Sequence, residues 1–172
     1  MVEKVVAVRV TSHGADVASR SAQPTDGFLR RAEAVCLRAG EQFTPLRRGV
    51  LAVFRTLNRP MGAYDLAPIC SEQLRRQIYP SSVYRVLQFW CELGLVVHLS
   101  GHNTFVLTEH PEGAHLVFVC TQCGSAIQHD DHDANAALRR VARALNFVPS
   151  ATPIEIDGTC VRCTSTRSGP PV

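Results

Sequence analysis

Two cysteine pairs carry the sharpest chemistry in this chain: Cys120-x-x-Cys123-Gly124 and Cys160-x-x-Cys163, with 36 residues between them. Two residues between cysteines let both thiolates of one turn face a single ion. Two such turns complete a tetrahedral set of four sulfurs, the arrangement zinc takes in structural sites. Gly124 helps the first turn to close. A redox-active Cys-x-x-Cys is the competing reading, but such motifs usually occur singly at a helix start. Four thiolates saturate the ion, so the pattern implies a structural zinc with no position open for catalysis. Cys36, Cys70 and Cys91 lie in apolar or helical stretches and read as small buried hydrophobes.

A second chemically capable group lies on one helix. From Pro80 onward Val83, Val86, Leu87, Trp90 and Leu93 recur at helical spacing and leave Ser81, Tyr84, Arg85, Gln88 and Glu92 on the other face. An arginine beside a phenol can read base edges in a DNA groove. The net charge of +3 is mild, but its distribution is not even. Thirteen of the 18 lysines and arginines precede residue 100, whereas Asp130, Asp131 and Asp133 fall in the second half. That asymmetry suits a first half that faces DNA and a second that faces metal, and it adds Arg47 to Ser81, Tyr84, Arg85 and Gln88 as a candidate DNA contact. A merely solvated charged face is the plain alternative.

The elements that must position these groups follow from periodicity and punctuation. Helices are expected over residues 26–39, from Thr44-Pro45 to Leu57, over 63–74 with a disturbance at Pro68, and over 80–93. Two strands, 95–99 and 104–108, are joined by a turn at Ser100-Gly-His-Asn. Helices followed by such a hairpin fit a winged helix-turn-helix. Beyond residue 113 the expected order is strand 115–120, helix 134–146 and strand 153–157, and the stretch 129–133 is either a source of metal-ligating histidines or a polar loop in which Asp133 caps the helix. The fold class is therefore α+β, a winged helix-turn-helix domain followed by a small α/β dimerisation domain with the four-cysteine site. The organisation reads as a mobile extension (1–24), a DNA-binding domain (25–109), a hinge (110–113), a dimerisation and metal domain (114–163) and a mobile tail (164–172). So small a second domain needs a metal staple, a partner subunit or both.

With 45% hydrophobic residues the chain can bury a core. No apolar run approaches the roughly 18 residues of a membrane helix, and Arg9 interrupts the only early apolar stretch. A cytoplasmic location is expected, where seven cysteines favour metal over disulfides. There is no glycine-rich phosphate loop and no recognisable nucleophile motif, so an enzyme is not expected.

Thr44-Pro-Leu-Arg-Arg, Ala63-Tyr-Asp-Leu, Pro80-Ser-Ser-Val-Tyr-Arg-Val-Leu, Cys120-x-x-Cys-Gly and Cys160-x-x-Cys, in that order, resemble the ferric uptake regulator family from about Phe28 to Cys163. The second and third stretches are most similar to its zinc uptake regulator branch. The resemblance implies a homodimer that clamps a palindromic operator and represses, with Tyr84 and Arg85 contacting bases. It also implies a second, exchangeable metal at the hinge. In that branch the regulatory ligands are a histidine after the recognition helix, a cysteine ending the wing, a histidine before the first cysteine pair and a glutamate after it. Here Val97, Thr108 and Gln128 fall at three of these positions, and His115 keeps roughly the remaining one. Either the site is rebuilt from His98, His110, His115 and His129, with His102 and His132 in reserve, or the hinge metal is lost and the protein binds DNA without sensing it.

Overall fold

The computed structural model describes residues 9–11, 25–108, 115–148 and 153–165. It separates into two compact units, residues 15–112, and residues 1–14 together with 113–172. Among the described residues no helix is long and apolar enough to cross a membrane.

In the first unit four helices precede a hairpin: α1 (Thr25–Arg38), α2 (Pro45–Leu57), α3 (Ala63–Gln73) and α4 (Pro80–Glu92), then β2 (Val96–Leu99) and β3 (Thr104–Leu107). Helix α2 starts where its sequence dictates. The Thr44 hydroxyl accepts from the Arg47 N–H at 3.3 Å, and Pro45 occupies a position whose N–H has no helical acceptor. The helix stops at Asn58, which adopts a left-handed φ of 44° and donates its N–H to the Phe54 carbonyl. Helix α3 runs through Pro68 without a break. Helix α4 buries Val83, Val86, Leu87, Phe89 and Trp90, and Trp90 meets Phe43 edge-on at 5.9 Å. The expected turn of the wing is one turn of 3-10 helix over Ser100–His102, closed by Asn103 at φ 49°. Phe105 exchanges backbone hydrogen bonds of 2.8 and 3.0 Å with Met61, so the segment before α3 is tied to the wing.

The second unit is a four-stranded sheet in the order β1-β5-β4-β6. Strand β4 (His115–Cys120) pairs antiparallel with β5 (Ala126–Asp130) and parallel with β6 (Ile154–Gly158). Helix α5 (His132–Ala144) links β5 to β6, and a short α6 (Val161–Ser165) follows.

Several expectations are corrected here. Residues 129–130, on one reading part of a polar loop, end strand β5, because the turn after Cys120 sends the chain straight back along β4. Helix α5 is capped by Asp131 and not by Asp133: the Asp131 carboxylate accepts the N–H groups of Asp133 and Ala134, both at 2.9 Å, and the helix starts at His132. Within the extension expected over residues 1–24, Arg9–Thr11 forms β1, parallel to β5, since the free edge of β5 offers its backbone groups for pairing. The tail expected from residue 164 begins inside α6. The remainder of both segments, and the hinge expected at 110–113, lie outside the described residues.

Candidate metal centre and nucleic-acid face

The four cysteines converge at one end of the sheet. Cys120 ends β4, and Cys160 follows β6, the parallel neighbour of β4. The first turn is shaped by Gly124, at φ 69°, and by backbone hydrogen bonds of 2.8 Å from Gly124 to Cys120 and from Cys120 to Ser125. In the second, Cys163 and Thr164 donate to the Cys160 carbonyl at 2.9 and 3.0 Å. All four sulfurs lie within 4.8 Å of one another, and those of Cys123 and Cys160 are 3.8 Å apart. Zinc–sulfur bonds of about 2.3 Å in a tetrahedron require sulfurs about 3.8 Å apart, so this donor set fits zinc.

Outer hydrogen bonds support thiolates. The Cys160 N–H donates to Cys120 Sγ at 3.3 Å, and this contact chiefly draws the Cys120 thiol down to about 6. Hydrogen bonding to Cys163 likewise lowers Cys160. Its neighbour Cys160 pushes Cys163 up to about 12: crowded thiolates cannot all ionise until a cation joins them. The buried Ser125 hydroxyl lies 3.1 Å from Cys123 Sγ. The remaining cysteines differ in kind. Burial raises Cys70 to about 11 and, with help from Glu92, Cys91 to about 12, and burial also raises Cys36. These thiols stay protonated and pack as apolar groups.

On α4, Ser81, Tyr84 and Arg85 are exposed, Tyr84 to 42%. They face a groove of about 500 Å³ walled also by Gly62, Tyr64 and His102. Gln88 is half-buried, and its side-chain amide donates to the Tyr84 hydroxyl at 3.1 Å. Arg47 is placed otherwise than its charge implied. Its guanidinium lies over the Phe89 ring, 3.3 Å from the centroid, pairs with Glu41 at 3.1 Å and donates to the Gln42 carbonyl at 2.6 Å. It is turned inward because the flat guanidinium finds an aromatic face and two oxygens within its own domain.

Among the described residues no group of histidines gathers within either unit. The His98 ring stacks on Phe105 at 4.5 Å, and its buried Nε2 has no hydrogen-bond partner among the described residues. His129 Nε2 lies 3.8 Å from the Asp131 carboxylate. The backbone register sets His115 opposite Asp130 and His129 opposite Leu116, adjacent and out-of-phase positions. His132 is fully exposed, and His110 lies outside the described residues. Thr108 and Gln128, at two positions where the resemblance expects ligands, are buried. Among the described residues, only the four cysteines form a group of three or more potential ligands close enough to share an ion.

A winged-helix unit joined in one chain to a sheet domain with a four-thiolate centre defines a class of metal-binding regulators. The chain belongs to the ferric uptake regulator family, whose model matches residues 38–157, and within it to the zinc uptake regulator branch. It is 28% identical over 142 residues to the zinc uptake regulation protein of Escherichia coli K12, covering 81% of this chain and 82% of that protein. With the zinc uptake regulation protein of Mycobacterium tuberculosis H37Rv it shares 33% identity over 133 residues, 74% of this chain and 98% of that one. A zinc uptake regulator solved in complex with zinc and DNA superposes with a TM-score of 0.76 at 26% identity, covering 86% of this chain and 99% of that one. For holo XcZur the TM-score is 0.68 at 32% identity, with 81% and 99% covered.

Proposed function

We propose that this protein is a zinc-responsive transcriptional regulator that binds DNA through α4, acting as a homodimeric repressor on a palindromic operator. The observation that carries this reading is the exposed Tyr84–Arg85 pair on the helix ahead of the wing, in a fold shared with a regulator solved with zinc and DNA. Ser81 and Arg85 reach phosphate or base, and Tyr84 reads beside them. Cys120, Cys123, Cys160 and Cys163 hold a zinc that stabilises the second unit and takes no part in sensing. Sensing belongs to a second metal bound by ligands drawn from His98, His110, His115 and His129. Its occupancy favours the arrangement of two DNA-binding units that matches successive major grooves.

A second reading, a DNA-binding dimer with only the structural zinc, is favoured by the buried Thr108 and Gln128, which offer neither thiolate nor carboxylate. Metal analysis before and after mild chelation, paired with a gel shift on each sample, decides between them. Two zinc ions per chain, one removable together with DNA binding, support sensing. One zinc per chain with DNA binding insensitive to chelation overturns it.

A further inference from the structure

We propose that Gln88 sets the polarity of Tyr84, so that the phenol presents a hydrogen-bond donor to DNA and thereby selects bases that offer an acceptor. The inference rests on the DNA-binding role proposed above and specifies what the recognition helix reads.

Tyr84 and Gln88 are one helical turn apart and share a face of α4. The Gln88 side-chain amide donates to the Tyr84 oxygen at 3.1 Å. A phenol carries one proton, held near the plane of its ring, and with the oxygen already accepting from Gln88 that proton is directed away from Gln88. The ring also has a packing partner. Phe105 meets it edge-on, with centroids 5.7 Å apart and planes at 80°. Phe105 is only 1% exposed, is bonded to Met61 through both backbone groups, and carries His98 stacked at 4.5 Å. The wing packs against the ring, and with the Gln88 amide donating to the oxygen the O–H bond takes the in-plane direction away from it.

In the major groove a donor pairs with thymine O4, guanine O6 or N7, or adenine N7, and finds no partner in the amino groups of cytosine N4 or adenine N6. Gln88→Glu reverses the polarity with almost no change of shape: the carboxylate accepts the phenolic proton, and a lone pair then faces the DNA. The added negative charge weakens binding to all sequences alike, whereas the polarity change acts at one base. Gln88→Met removes the directing group and adds no charge.

The test uses the zinc-loaded full chain and a pool of randomised duplex DNA, with sequencing of the bound fraction for the parent protein, Tyr84→Phe, Gln88→Glu and Gln88→Met. Thermal melting of each variant verifies folding. In the parent, one base position depleted in cytosine should lose that bias in Tyr84→Phe. At that position Gln88→Glu should shift the preference toward cytosine by roughly three- to tenfold, the worth of one neutral hydrogen bond, and Gln88→Met should flatten it. A position lost in Tyr84→Phe but unchanged in Gln88→Glu overturns the polarity assignment and leaves the DNA-binding role standing. Tyr84→Phe losing affinity equally on all sequences makes Tyr84 a phosphate contact and also overturns it. A parent protein that enriches no sequence removes the DNA-reading role itself.

Discussion

Cys123 Sγ and Cys160 Sγ lie 3.8 Å apart although 37 positions separate them in sequence. No main-chain element joins them directly, so their approach depends on the pairing of β4 with β6 and on the two turns that follow. Cys160→Ser removes one ligand and, with it, the Cys160 contribution to the cluster. Metal analysis after gel filtration should fall from about one zinc per chain to under about a tenth, and the second unit should lose its cooperative melting transition, as expected where metal binding is folding free energy. Retention of full zinc would show that three cysteines suffice.

Zinc binding should release protons at neutral pH. Cys163 is held up to about 12 beside Cys160 and is protonated before the ion arrives, while Cys120 is drawn down to about 6 by the Cys160 N–H and is mostly ionised. The ion takes thiolates, so the Cys163 proton leaves on binding, and zinc affinity must rise with pH across the neutral range. Titration in weakly buffered solution with a pH indicator measures the release. A zinc affinity independent of pH between about 6 and 8 would contradict this assignment.

Arg85 is exposed on α4 beside Tyr84. Arg85→Ala should weaken binding to the preferred DNA by roughly 1–3 kcal/mol and relax selectivity at one position. Competition between the preferred duplex and unrelated DNA separates the two effects. A uniform loss on both would restrict Arg85 to a phosphate contact.

Arg47→Ala should act on stability and spare base preference. The substitution removes the contact with Phe89 and the Glu41 pair, of which the stacked contact matters more because the carboxylate partner is half-exposed. A loss of about 1–2 kcal/mol in the unfolding free energy of the first unit is expected from urea denaturation. An unchanged midpoint, with weaker DNA binding, would return Arg47 to the DNA face.

Much of this was readable from residues alone, for identifiable reasons. Thr44-Pro45 marks the start of α2 through local hydrogen bonding, and the spacing of Val83, Val86, Leu87 and Trp90 marks the buried face of α4. The paired cysteines announce their own site because ligand chemistry leaves few alternatives. Strand β5 was not legible: its central buried side chain is Gln128, and His129 follows, so polarity masks the alternation that betrays a strand. Asp131 and Asp133 offer the same capping group, and only the exit of the chain from β5 chooses between them. The inward turn of Arg47 depends on Phe89, 42 positions away in sequence, and charge counting is blind to such a partner. The histidines remain hardest, since their roles depend on which segments meet, and sequence spacing encodes only local geometry.

The placement of the cysteines at the ends of two parallel strands also bears on chain entropy. Parallel neighbours need a long crossover, here β5 and α5, and β6 stands at the edge of the sheet with one strand to hold it. An ion that clasps both strand ends closes a circuit of about 40 residues, restricting the unfolded chain by about 4 kcal/mol on the loop-closure estimate used for disulfides. Unlike a disulfide, the clasp opens by ligand exchange and needs no oxidant, so the edge pairing of β6 with β4 is fastened by a bond that works in a reducing medium.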